Sequence, residues 1–182
     1  IKHKECFIPN TIKFWNLQAI SKYARETAEF VNLYSKWRGL NRFPALIKVF
    51  ALLAERKEVK NRGFWFPALD PLQKWVTTET KLGTPTLEQK VKETGDLILQ
   101  NTLEWTLAVN QTIAGLVHGV PPYSYVRKSL AKLQEQAAVI VVSQTPHEAL
   151  KREWAEHDLV RFVEVIAGQE MGTKAECLGY AK

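Results

Sequence analysis

Cysteine is scarce in this chain, and the two present, Cys6 and Cys177, stand at opposite ends. That placement excludes a disulfide framework and a cysteine-based metal motif, and it suits a reducing, cytoplasmic setting. Long apolar runs are also missing: none approaches the roughly 20 residues that a membrane-spanning helix needs, so no membrane partner is expected. No secretory signal is visible, although the chain opens at Ile1 rather than at a methionine, which leaves room for upstream residues. Sustained basic blocks are lacking too. The formal charge is +6, but lysine and arginine are mixed with acids throughout. The densest stretch, Arg56 to Arg62, reads as a solvated helix end or loop, and no nucleic acid is expected as a partner. The charge balance still permits attraction to phosphate-bearing ligands.

What is there is apolar and periodic. Hydrophobic residues make up 46% of 182 positions, enough for one good core or two modest domains. Residues 1–120 read as an all-helical domain. Ile12, Trp15, Ala19, Tyr23, Thr27, Phe30, Val31 and Tyr34 recur at three- and four-residue steps, which predicts one long helix from Thr11 to about Trp37. Gly39 ends it, and Pro44 opens a second helix with Leu46, Val49, Phe50 and Leu53 on one face. Arg38 and Arg42 fall in the loop between. Gly63 to Pro67 is an aromatic loop, and Asp70-Pro71 starts a short helix. A long helix is expected from about Leu87 to His118, with Val91, Leu97, Ile98, Trp105, Val109, Thr112 and Leu116 facing inward. Helical spacing explains these aromatic stripes as core.

The character changes at Val120-Pro121-Pro122, and residues 121–182 read as helix, strand, helix, strand, helix. Tyr123, Val126, Leu130 and Leu133 share the face of a helix ending near Gln136. Ala138 to Val142 are five consecutive apolar residues without polar alternation, which predicts a strand over 138–143 buried on both faces. Thr145, Pro146 and Glu148 then read as N-cap, first position and third position of a helix reaching about His157. A second buried strand is expected over Phe162 to Ala167, and a glycine-punctuated turn leads to a short helix from Ala175 to about Ala181. Such a βαβ unit places two parallel strands side by side. Two strands leave bare edges, so the unit needs more sheet and can self-associate through its open edge.

Ligands bind at the carboxyl end of parallel strands, where free helix amides favour an anion. Ser143 ends the first strand, and Lys174 follows the second at a helix start, so a hydroxyl, helix amides and an ammonium can converge there. Gln144 and Thr145, in the turn after Ser143, are candidate substrate-binding residues, as are Arg38 and Arg42 in the helical domain. The plainer reading, in which Ser143 and Thr145 only end a strand and cap a helix and the lysine is solvated, stays open beside it. Gly168, Gly172 and Lys174 do not have the spacing of a Walker A loop.

The strand Ala-Val-Ile-Val-Val-Ser143 resembles the second motif of the haloacid dehalogenase superfamily of hydrolases. Val-Ile-Ala-Gly168 followed by Gly172-Thr173-Lys174 resembles the strand and lysine of its third motif. The resemblance implies an α/β fold: a helical cap domain and a partial Rossmann-like core with two parallel strands. It also implies a phosphatase that acts on a small phosphorylated substrate through an aspartyl-phosphate intermediate, with magnesium as cofactor. In that setting Ser143 and Lys174 are the catalytic residues, the first binding a phosphoryl oxygen and the second offsetting charge. The family's first motif, Asp-x-Asp, and its fourth, which supplies acids for magnesium, are not found here. Asp70, Asp96 and Asp158 are the only aspartates, and none ends an apolar strand. The resemblance therefore implies an internal segment, inactive alone and without metal ligands of its own. The alternative is a non-enzymatic helical binding or regulatory module for an acidic partner, whose mark is binding that weakens steeply with salt.

Overall fold

A computed structural model describes residues 1–143, 145–172 and 174–179. The backbone separates into two compact units, Ile1–Val117 and His118–Lys182. The first is built of helices: a π-helical turn Lys2–Phe7, α1 (Ile8–Phe14), α2 (Ser21–Glu29), α3 (Arg42–Glu55), α4 (Lys57–Lys60), α5 (Asp70–Thr78), α6 (Thr84–Thr94) and α7 (Leu97–Leu116). Its core is aromatic at the centre. Phe43 meets Trp75 edge-to-face at 4.9 Å and Trp105 at 6.4 Å, the geometry that ring quadrupoles favour. Leu46, Val49, Phe50 and Leu53 are buried along one face of α3, as their spacing predicts.

The single helix expected from Thr11 to Trp37 is corrected by the structure. Asn16 takes the left-handed conformation, φ 53°, which asparagine tolerates better than most residues. Leu17 N–H closes onto Ile12 O at 2.9 Å, and Leu17 is fully buried. A 3₁₀ turn, Gln18–Ile20, leads into α2, and a π-helical turn, Phe30–Tyr34, follows it. The second helix also starts earlier than Pro44. Asn41 Oδ1 accepts from Phe43 N–H at 3.1 Å and caps α3 at Arg42, leaving proline within the first turn, where its missing N–H is tolerated.

The helix expected over Leu87 to His118 is two helices. Gly95 stands at φ 62°, a left-handed stop, and Asp96 caps the next helix, its Oδ1 accepting from Ile98 N–H at 2.8 Å and Leu99 N–H at 3.0 Å. Restarting the helix changes which side faces inward. Leu99, Thr102, Trp105, Thr106 and Val109 are buried, whereas Leu97 and Leu116 are 77% and 46% exposed. Asp96→Ala is expected to lower the unfolding free energy of this unit by about 1 kcal/mol. Urea titration checks this, and an unmoved midpoint would show that the cap contributes nothing.

The second unit contains α8 (Val126–Gln134), β1 (Ile140–Val142), α9 (His147–Glu156), β2 (Val165–Ala167) and α10 (Lys174–Gly179), in that order. β1 and β2 pair in parallel, Ile140 with Val165, Val141 with Ile166 and Val142 with Ala167. Ser143 N–H to Ala167 O and Glu164 N–H to Val139 O, both 2.9 Å, extend the ladder at each end. The chain is thus mostly helical with one two-stranded parallel sheet among the described residues. Both strands are shorter than expected, and β1 is half-buried rather than buried on both faces, because face burial needs layers packed above and below a sheet and this two-stranded sheet is small. Leu130, Leu159 and Phe162 form a small core, against which Val126, Val139 and Trp154 pack. The helix expected from Tyr123 begins only at Val126, after Tyr125 at φ 70°. No described helix is long and apolar enough to cross a membrane.

Candidate functional site

The parallel pairing puts the segments that follow β1 and β2 on one rim of the sheet. Ser143 continues β1 directly, and the turn from Gly168 to Gly172 leads from β2 to Lys174, the first residue of α10. α10 packs against β1 and α9 against β2. The two segments are joined across the rim by Gln169 N–H, which donates to Thr145 O at 3.1 Å. Lys174 is exposed, while Ser143 and Thr145 are half-buried. Gln144 lies outside the described residues.

Ser143 Oγ accepts from Thr145 N–H at 3.2 Å, the local turn that serine and its short side chain favour. The hydroxyl proton is left to donate, which is the role a phosphoryl oxygen requires. Thr145 does not cap α9, in contrast to expectation. Pro146 is the N-cap, without a side-chain acceptor, and Thr145 stands one residue before it.

The free amide at the start of α9 is taken from across the rim. His147 N–H donates to Glu170 Oε2 at 2.9 Å, so the helix end expected to await an external anion already holds an internal carboxylate. This is the favourable charge for that position. His147 Nδ1 lies 3.0 Å from Ile166 O. A carbonyl only accepts, so Nδ1 is the donor in this contact. Gly168 makes this arrangement possible: a Cβ on it would stand 2.5 Å from His147 N and 2.6 Å from His147 Cα.

Glu170 and Gly168 were not singled out as site residues from the sequence. In the sequence Thr145 reads as the cap; only the fold, by placing Pro146 there, leaves the helix start without its own acceptor, which it must then find elsewhere. What the sequence does not contain is which distant carboxylate supplies it.

Arg38 and Arg42 belong to the helical unit. Arg38 is exposed. Arg42 is not in a loop but in the first turn of α3, folded back on α7 by contacts that Nη1 makes to Thr106 O, Thr106 Oγ1 and Asn110 Oδ1. Among the described residues no group of three or more His, Cys, Asp or Glu side chains is arranged to hold a metal ion. At the rim, the Glu170 carboxylate is spent on the helix start. These described residues do not form a magnesium site.

No protein-family model, curated protein or solved structure matches the chain.

Proposed function

We propose that this chain is the substrate-positioning part of a phosphoryl-transfer hydrolase of the haloacid dehalogenase kind, acting on a small phosphorylated compound. The observation that carries the reading is the parallel register of β1 and β2. It brings the residue after β1, a serine with a free hydroxyl proton, to the rim where the turn from β2 delivers a lysine. Ser143 donates to a phosphoryl oxygen, and the Lys174 ammonium offsets the negative charge that gathers on phosphate and attacking carboxylate. Positioning and charge stabilisation are what such transfer needs from a protein.

The attacking carboxylate is not within this sequence. Asp70 begins α5, Asp96 caps α7, and Asp158 pairs with Arg127 at 3.4 Å and Arg161 at 3.2 Å. In a polypeptide that carries this segment together with an Asp-x-Asp strand, Ser143→Ala and Lys174→Ala each lower kcat/KM for p-nitrophenyl phosphate by about 100-fold or more. Unchanged values in both variants overturn the assignment. This chain alone turns over none, and measurable hydrolysis by it would contradict the missing nucleophile.

A further inference from the structure

Two basic segments of the helical unit meet at the Tyr23 ring. Arg56 Cζ lies 5.0 Å from its centroid, Arg62 Cζ 5.4 Å and Lys22 Nζ 5.9 Å, within the reach of cation–π attraction. The arginines flank α4, one on each side, and the lysine belongs to α2. Arg62 is fixed further by Nη1, which donates to Ala19 O at 2.7 Å. Only one of these cations is balanced: Arg56 pairs with Glu26 at 2.6 Å and with Glu58 at 3.8 Å. Among the described residues no ion pair takes Lys22 or Arg62, nor Lys57 and Lys60, the exposed ends of α4. Val59 is buried, which turns the two lysines, three positions apart, outward together. Like charges gathered around one ring repel, so this face carries a positive potential that an anionic partner relieves.

A flat ring stands beside the cations. Phe64 and Phe66 turn toward the helical core, their rings 4.9 Å apart and Phe66 5.8 Å from Phe50. Trp65 between them is 77% exposed. Three residues span at most about 11 Å, so the backbone that presents this indole adjoins Arg62. Unpaired cations next to an exposed aromatic ring match the two things a single strand offers, phosphates and unstacked bases. A duplex keeps its bases stacked inside, and an acidic peptide has none. The stretch Arg56 to Arg62 by itself reads as a solvated helix end; folding adds Lys22 and Trp65 to it.

We propose that this face binds single-stranded nucleic acid, with a base stacked on Trp65 and phosphates against Lys22, Lys57, Lys60 and Arg62. The surface stands on the helical unit alone and does not depend on the phosphoryl-transfer reading. Its test is fluorescence anisotropy of a labelled thymidine strand of about 12 nucleotides with the whole chain, from about 50 to 200 mM salt. Saturable binding is expected, with a slope of log affinity on log salt near about −3, the value for four neutralised phosphates on a single strand. Trp65→Ala should weaken binding about tenfold and leave the slope unchanged, whereas Lys57→Gln with Lys60→Gln should reduce the slope by about 1.4. Lys128→Gln with Lys132→Gln, at exposed positions of α8 in the other unit, removes the same charge and should leave the affinity unchanged. No binding at the lowest salt overturns the proposal, as does a Trp65→Ala affinity equal to the parent's or an equal loss from the α8 pair. Duplex of the same length or polyglutamate binding as tightly as the single strand also overturns it. Those last two comparisons use the unaltered protein, so they decide the matter even if a variant fails to fold.

Discussion

Replacing Trp105 with alanine is expected to remove about 3–5 kcal/mol from the stability of the helical unit. The indole is 2% exposed and meets Phe7 at 6.3 Å and Phe43 at 6.4 Å, both edge-to-face. Truncation leaves a large cavity beside rings that the π-helical turn Lys2–Phe7 and α3 hold in place, so collapse around it is incomplete. The Nε1–H bond to Thr11 Oγ1 is lost as well, leaving a buried hydroxyl with one partner fewer. Domains of this size are stable by only about 5–15 kcal/mol, so the variant should unfold at much lower urea. Trp105→Phe keeps most of the buried area and should lose clearly less. A Trp105→Ala midpoint within about 0.5 kcal/mol of the parent would mean that this ring is not central to the core.

The second large effect is expected at Gly168. Its backbone, φ −85° and ψ 179°, is one that any residue adopts, so conformational freedom is not the reason for glycine there. Space is. An added Cβ would meet His147 N at 2.5 Å, Cα at 2.6 Å and Cβ at 2.8 Å, and two of these are main-chain atoms. The start of α9 is held on the other side by Glu170 through the His147 N–H and by Ile166 O through the ring. It cannot retreat without breaking those bonds. Gly168→Ala should therefore lower the stability of the second unit by about 3 kcal/mol. Hydrogen exchange reads it selectively: the ladder amides of Ser143 and Glu164 should exchange faster, while the Trp105 indole in the other unit keeps its protection. Unchanged exchange at those ladder amides would show that the rim yields without loss.

Much of this molecule was legible because its signals are local. The α3 face of Leu46, Val49, Phe50 and Leu53 and the start of α5 at Asp70-Pro71 follow from spacing and from residues that favour helix starts. The two parallel strands joined through a helix follow from two apolar runs separated by one amphipathic segment. Helix breaks were harder to read. Gly95-Asp96 carried a stop and a cap in adjacent letters, yet the apolar period ran across them. Asn16 broke the first long helix for a reason outside its own neighbourhood, since the burial of Leu17 makes the left-handed turn worthwhile.

The same division separates the parts of the rim. Ser143 and Lys174 could be picked out as the residues that follow two strands, because strand ends are visible in composition. The partner of the His147 amide could not, since Glu170 reaches it across the sheet rim. Likewise the sequence shows Arg42 beside a proline-opened helix, but only the fold turns its Nη1 toward Thr106 and Asn110.

By itself the sequence determined the helical character of most of the chain, the identity of the two strands and the absence of an Asp-x-Asp pair, because each depends on residues a few positions apart. The tertiary structure alone decided where helices stop, which carboxylate seals α9 and which acceptors hold Arg42. Those outcomes depend on packing between segments remote in the chain, and no short-range pattern records which group will be adjacent once the backbone has folded back on itself.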